Sequence, residues 1–335
     1  MKQYEHGGDI YRNRVRLDFS VNTNPLGISD NIKKAVLDSV NDFGVYPDAE
    51  YELLRSKIAE YEGVGSEQVS CSNGAAEMIF AVVRAVRPKK SLVVAPTFSE
   101  YERALRAAGS EIEYYYLNEE NNFCIDYDFS ERLNAVDMLF ICNPNNPTGN
   151  VPDKAVMKKI SDKCKKENII CVVDECFANL ADCYSMKGTL PVIKAFTKTY
   201  AMAGLRLGYM VSDETFAQRV REQLPAWNVS AAAQAAGIAA LEEKEYLEKS
   251  IAVIKEERAF LEKSLSKLGF KVFPSQANFI LVKGRVGVDK ALLEKGILIR
   301  NCDNFAGLDG SFYRIAVKTH KENEELMREL GDICG

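Results

Sequence analysis

Short, continuously apolar runs alternate with amphipathic helical segments through the first two-thirds of the 335 residues, which predicts an α/β fold with a mostly parallel sheet between helices. The runs SLVVAP, LFICNP and NIICVVDE lack the polar alternation of strands with one wet face, so both faces of the sheet should be covered. After about residue 230 the texture changes to long helix and short strands, which predicts a second, smaller α+β unit.

In chain order, residues 31–41 read as a helix ahead of the parallel region. GAAEMIFAVVRAVR (74–87) has helical periodicity, SLVVAP (91–96) is a buried strand, and SEYERALRAAG (99–109) is helical again. EIEYYYL (111–117) and VDMLFICNP (136–144) follow as strands, then a helix over 153–167 and the strand NIICVVDE (168–175). Residues 231–267 form a long helical stretch, bent or broken along its length. Short strands follow near 270–273, 279–283, 297–300 and 312–317, with helices near 288–295 and 320–332. No repeat, low-complexity tract or long polar linker intervenes, so the domains should be tightly coupled. The expected division is an arm over 1–20, a small domain from 21–45 plus 236–335, and a large domain over 46–235.

Composition excludes several functions. With 43 Lys plus Arg against 48 Asp plus Glu, the formal charge is −5, unsuited to nucleic acid or an anionic membrane. His6 and His320 are the only histidines, so a site needing several His ligands is excluded and no metal is expected. The nine cysteines show no C-x-x-C spacing, and several sit inside apolar strands, as free thiols do in a reducing compartment. No run approaches a membrane span and the N-terminus has no apolar signal region. A soluble cytoplasmic protein is expected.

Ligands of open α/β sheets lie beyond the carboxyl ends of strands, which points to Asn143–Gly149 and to Asp174. In AFTKTYAMAGLRLGYM (195–210), Lys198 stands among apolar and small residues, with Arg206 eight positions on. An amine that must form a Schiff base has to be desolvated or set near another cation, so that it is neutral and nucleophilic. An isolated loop lysine is by default only a solvated surface residue. In CSNGAAEMIF, Gly74 opens a helix whose first N–H groups, at Ala75 and Ala76, could hold a phosphate. Asp174 ends a buried strand, where a lone carboxylate needs a partner. Asn146 lies in NPNNPTG, a turn after an apolar strand, and Phe98 follows another strand end, where plain core is a serious competitor. Arg314 interrupts the strand SFYRIAV, and Arg300 lies near the end of GILIR, where a solvated charge is equally expected.

In order and spacing, SNGAAE, NPNNPTG, VVDECF and TKTYAMAGLRLGY resemble the class I/II aminotransferase family, pyridoxal-phosphate (PLP) enzymes of fold type I, over nearly the whole chain. The resemblance implies that 46–235 binds PLP. It casts Lys198 as the cofactor-bearing lysine and general base, and Arg206, Gly74, Ala75, Ala76 and Thr197 as the phosphate site. It casts Asp174 as partner of the pyridinium N–H⁺, Asn146 as donor to the 3′-oxygen and Phe98 as the ring-stacking aromatic. By the same resemblance Arg314 grips a substrate carboxylate, and Tyr46 reaches the phosphate of a partner subunit in a homodimer. Ala195 departs from the family's Ser or Thr three residues before the lysine, so that phosphate contact is absent or comes from Ser72 or Thr197.

Within the family, HGGDIY, DFSVNTNPLG, Phe177 in place of the usual tyrosine, and ILIRNCDNFAGL resemble threonine-phosphate decarboxylases more than histidinol-phosphate aminotransferases. PAWNVSAAAQAA shares that look, which would bring Trp227 and Ser230 near the site. The implied substrate is a small phosphorylated amino acid, its second anion held by Arg300, His6 and Asn24. The bond at Cα held perpendicular to the cofactor ring is the one that breaks. Turning the carboxylate out of plane gives decarboxylation, the leading expectation; holding it in plane against Arg314 gives transamination. A lyase that leaves the α-carboxylate in place is a further alternative, and a regulator that binds PLP without turnover is disfavoured by the intact site set.

Overall fold

The computed structural model describes residues 6–181 and 183–334 of the chain. Its centre is a seven-stranded sheet. From edge to edge the strands are Val69–Ser72, Gly208–Val211, Val192–Ala195, Ile170–Asp174, Met138–Cys142, Lys90–Ala95 and Glu111–Tyr116. Gly208–Val211 runs antiparallel to both neighbours and every other pairing is parallel. The outer strand Glu111–Tyr116 alternates exposed and part-buried residues, as an edge should.

Two cores cover the two faces, and strand residues alternate between them with period two. Cys171 and Val173 join Leu139 and Ile141 on the face covered by the helices Glu52–Glu62, Lys154–Glu167 and Ala231–Ala240. Val172 joins Met138, Phe140 and Cys142 on the face covered by Gly74–Val86, Ser99–Ala107 and Glu214–Arg221. A third core, around Ile280, Tyr313 and Ile315, lies between the helices Lys244–Lys267 and His320–Cys334 and a four-stranded sheet. That sheet is antiparallel, in the order Arg300–Asn301, Phe312–Ala316, Phe279–Lys283, Lys271–Val272.

The α/β fold type I architecture stands as expected, with differences of detail. The strands Val69–Ser72, Val192–Ala195 and Gly208–Val211 carry too few apolar residues for periodicity to reveal, and the helix Glu52–Glu62 was likewise not anticipated. The stretch 231–267 is two helices, broken at Leu241–Glu243. The single strand expected over 297–300 is divided: Ile297–Leu298 pairs in parallel with Leu17–Asp18, and Arg300–Asn301 pairs with Phe312–Ala316. The first of these pairings ties the N-terminal segment to the C-terminal part of the chain. No described helix is long and apolar enough to cross a membrane.

Candidate active site

Four parallel strands and the loops after them end at one cavity of about 230 Å³, bordered on the far side by the four-stranded sheet and the N-terminal segment. Asp174 closes the strand Ile170–Asp174 and is 3% exposed. Its carboxylate accepts from Tyr101 Oη at 2.6 Å and from the Cys176 N–H at 3.0 Å. Burial and the neighbouring Asp174 push the Tyr101 hydroxyl well above its usual range, so it stays protonated as a donor. Both donors are neutral. The carboxylate keeps its charge available to a cation in the cavity.

Lys198 lies in the short helix Phe196–Thr199, directly after the strand Val192–Ala195. Its amine is pushed down to about 8 by burial, then by Arg314 and more weakly by Arg206, against the opposite pull of Cys176 and Asp18. Nζ lies 6.0 Å from the centroid of Phe177, which packs edge-on against Phe279 at 5.0 Å. An amine so placed is a competent nucleophile and base near neutral pH.

Arg206, Gly74 and Gly208 form a close-packed cradle. A Cβ at Gly74, where φ is +77°, would lie 2.4 Å from Arg206 Nη2, and one at Gly208 would lie 2.7 Å from the Ala75 nitrogen. Only glycines let the guanidinium and strand approach the start of the helix Gly74–Val86 this closely. The first N–H groups of a helix have no partner within it, and Ala75 and Ala76 line the cavity with Thr197 and Arg206. The arrangement suits a phosphate monoester. Ser72 does not share it: its hydroxyl donates to the Gly74 carbonyl at 3.0 Å, away from the cavity. Thr197 is therefore the hydroxyl available in place of the missing side chain at Ala195.

Asn146 follows the strand Met138–Cys142, in a loop fixed by Asn145, whose amide donates to the Pro96 carbonyl at 2.9 Å and to Thr148 Oγ1 at 3.0 Å. Asn146 Oδ1 accepts from Arg314 Nη1, which leaves its N–H₂ group for a ligand oxygen. Arg314 Nη2 donates to the Ser20 carbonyl at 2.6 Å, while Nε is buried with no partner. Burial and Arg300 lower the Arg314 guanidinium to about 10, against the opposite pull of Cys302. Arg300 is the cross-strand partner of Arg314, and its Nη2 donates to Asn304 Oδ1 at 2.7 Å. Phe98 borders the cavity edge-on to Tyr101 at 5.7 Å. His6, with Nε2 2.9 Å from Glu100 Oε1, completes that side.

The cavity thus gathers most of the residues expected from sequence; Asn24, Trp227 and Ser230 are corrections, and Tyr46, expected at a partner's site, lies outside it. Asn24 does not line it: its amide donates to the Thr199 carbonyl at 2.8 Å and Ser250 Oγ at 2.7 Å, and its Oδ1 caps Leu26. Asn22, two residues earlier, lines the cavity instead, with a buried Oδ1 that has no partner. Tyr46 is 79% exposed and stacks on Trp227 at 4.8 Å, outside this cavity. Trp227 and Ser230 do not line it either; Ser230 caps the helix Ala231–Ala240. Sequence reasoning missed Tyr101, whose helical spacing reads as core, and Ser20, which contributes only its backbone carbonyl to Arg314.

An acid at the floor, a depressed amine, a phosphate cradle and an orphaned guanidinium N–H fit pyridoxal phosphate with a carboxylate-bearing substrate. The sequence pattern of the aminotransferase class I and II family matches residues 14–330. Threonine-phosphate decarboxylase of Salmonella typhimurium is 35% identical over 332 residues, 95% of this chain and 91% of that protein. The histidinol-phosphate aminotransferase structure from Clostridium acetobutylicum superposes with a TM-score of 0.88 at 33% identity, covering 95% of this chain and 99% of that one. The structure of L-threonine-O-3-phosphate decarboxylase from Porphyromonas gingivalis gives 0.84 at 26% identity, over 95% and 99%. The chain belongs to the class I and II aminotransferase family and is a pyridoxal-phosphate-dependent enzyme.

Proposed function

We propose that the enzyme decarboxylates a small phosphorylated amino acid, of the kind represented by L-threonine O-3-phosphate. The observation that carries this reading is the pair of buried cross-strand arginines, Arg300 and Arg314, with His6 on the same cavity. Two anion grips suit a substrate with two anions. Bound PLP supplies an electron sink for the pair of electrons left at Cα when a bond there breaks.

The protein's own residues then have separate tasks. Lys198 would carry the cofactor and would move the proton at Cα. Asp174 keeps the pyridine nitrogen protonated, held for that task by Tyr101 and the Cys176 N–H. Gly74, Ala75, Ala76, Thr197 and Arg206 hold the phosphate, Asn146 the 3′-oxygen, and Phe98 the ring face. Arg314 takes the carboxylate, and Arg300, His6 and Asn22 take the substrate phosphate. Phe177 offers no phenol to the cofactor oxygen, as in the decarboxylase reading.

One observation favours transamination as the second reading. Arg314 is bonded to Asn146 and Ser20, a fixed clamp that would retain the substrate carboxylate rather than let it leave. The test is to offer O-phospho-L-threonine without a keto acid and measure carbon dioxide. Release at a rate comparable to ordinary turnover is expected. No release, with glutamate formed from 2-oxoglutarate and an amino donor, would transfer the protein to the aminotransferase side.

The same reading makes the enzyme a cytoplasmic homodimer with Tyr46 completing the partner's site. The nine free cysteines support a reducing compartment. Leu37, Val40, Phe43, Val45 and Tyr46 expose apolar surface along one short segment, as a subunit contact would.

A further inference from the structure

The cavity wall holds one histidine–carboxylate contact whose purpose the assignments above leave open. Glu100, in the first turn of the helix Ser99–Ala107, is buried, and its Oε1 lies 2.9 Å from His6 Nε2. Arg103 reaches the same oxygen at 3.4 Å from the next turn. Burial works against ionisation of Glu100, yet His6 and then Arg103 hold its carboxyl below the usual range. The His6 ring lies 6.0 Å from Phe98, and both line the cavity.

The residues after His6 are fixed as firmly. Gly7 packs so tightly that a Cβ there would lie 2.2 Å from the Ser20 carbonyl oxygen. The Gly8 N–H donates to Ser20 Oγ at 2.7 Å. The same Ser20 carbonyl accepts from Arg314 Nη2 at 2.6 Å. His6 is therefore held between the Glu100 carboxylate and the backbone that also seats Arg314.

We propose that Glu100 is a positioning residue for the substrate's distal anion, holding the His6 ring in the cavity wall through the 2.9 Å contact at Nε2. This rests on the phosphorylated-substrate reading above. A neutral ring bonded to Glu100 through Nε2–H would offer the phosphate a lone pair at Nδ1. A ring set between Glu100 at Nε2 and a bound phosphate at Nδ1 would instead donate to both anions. Glu100 itself touches no ligand.

The test compares binding of O-phosphoethanolamine and ethanolamine to the holoenzyme. The two differ only in the phosphate, and neither has an α-carboxylate to lose. The native enzyme should prefer the phosphorylated amine. Glu100→Gln should weaken that amine about tenfold, the effect of one charged hydrogen bond, and leave ethanolamine unchanged. His6→Asn should lose at least as much, and the double variant no more than His6→Asn alone. Cofactor absorbance serves as the control for folding. If Glu100→Gln fails to hold cofactor, Glu100→Asp retracts the charge by one methylene and should show a smaller loss of the same selectivity. A native preference that survives either folded variant, or an equal loss for both amines, overturns the role of Glu100 alone. A native enzyme with no preference for the phosphorylated amine overturns the phosphorylated-substrate reading and this inference with it.

Discussion

Two clusters of charge lie on opposite faces of the strands Ile170–Asp174 and Val192–Ala195, built from neighbouring residues with opposite fates. On one face, Glu62 accepts from Lys194 Nζ at 2.9 Å, Lys187 Nζ at 2.9 Å and Tyr209 Oη at 2.6 Å. Glu175, its carboxyl pushed up by burial, accepts from Ser185 Oγ and the Met186 N–H, each at 2.7 Å. The void beside this cluster is about 10 Å³. On the other face, Lys198, Arg206, Arg300 and Arg314 surround a far larger cavity in which Asp174 is the one acidic lining residue among those described. The first cluster neutralises itself and belongs to the framework. The second keeps an excess of positive charge and an orphaned donor, as a site for anions must.

Replacing the lysine of each cluster tests that division, and the largest effect belongs to Lys198→Ala. It should abolish the borohydride-reducible cofactor adduct altogether, while noncovalent PLP binding at the cradle survives. A reducible adduct at one site in this variant would show that another lysine carries the cofactor. Lys194→Ala should do the reverse, retaining the adduct but losing about 3 kcal/mol of stability, because Glu62 stays buried with less compensation. Urea denaturation of the holoenzyme measures it. A loss below about 1 kcal/mol would mean that Lys187 and Tyr209 suffice for Glu62.

A pH series on the apoprotein sharpens the comparison by a smaller amount. The folded Lys198 amine has its value lowered to about 8 from an ordinary 10.5. Below pH 8 the amine is charged in folded and unfolded chains alike, and its burial penalty is present in full. Between pH 8 and 10.5 the unfolded chain retains a proton that the folded chain has released, so unfolding free energy rises with pH. The gain should be about 2 kcal/mol, less than the full shift implies because water enters the cavity. It should appear as the difference between native protein and Lys198→Met, which removes the contribution of other titrating groups. A difference that stays constant across the window would show that the amine is not depressed.

The two clusters also differ in how legible they were. Lys198, Arg206, Asp174 and Asn146 stand in contiguous motifs, because strand-end chemistry requires particular residues at fixed offsets. The Glu62 cluster joins a helix to residues 125, 132 and 147 positions further on, with nothing local to mark Glu62 as a partner of Lys194. The error at Asn24 has a similar cause: Asn22 and Asn24 share one irregular segment, and only tertiary contacts with Thr199 and Ser250 decide which faces inward. Four-residue strands such as Val69–Ser72 escaped because their sheet neighbours, rather than their own pattern, make them strands. Tyr46 was chosen by resemblance, and in one chain it points to solvent.

The smallest expected effect concerns the departure at Ala195. Ala195 packs in the core on the face opposite Lys194, with Ile193 and Phe177, and does not line the cavity, whereas Thr197 lines it with Arg206. Thr197→Val, which removes a hydroxyl without changing shape, should weaken PLP about tenfold if that hydroxyl meets the phosphate. Ala195→Ser should change PLP affinity by no more than about twofold. A serine there occupies the N-cap position of the helix Phe196–Thr199, which has no side-chain cap, and its hydroxyl can turn to that helix's own N–H groups. Equilibrium titration of apoenzyme with PLP separates the two cases. Strong tightening in Ala195→Ser, with little loss in Thr197→Val, would show that the phosphate sits nearer the end of the strand Val192–Ala195 than the cradle of Gly74, Ala75 and Arg206 allows.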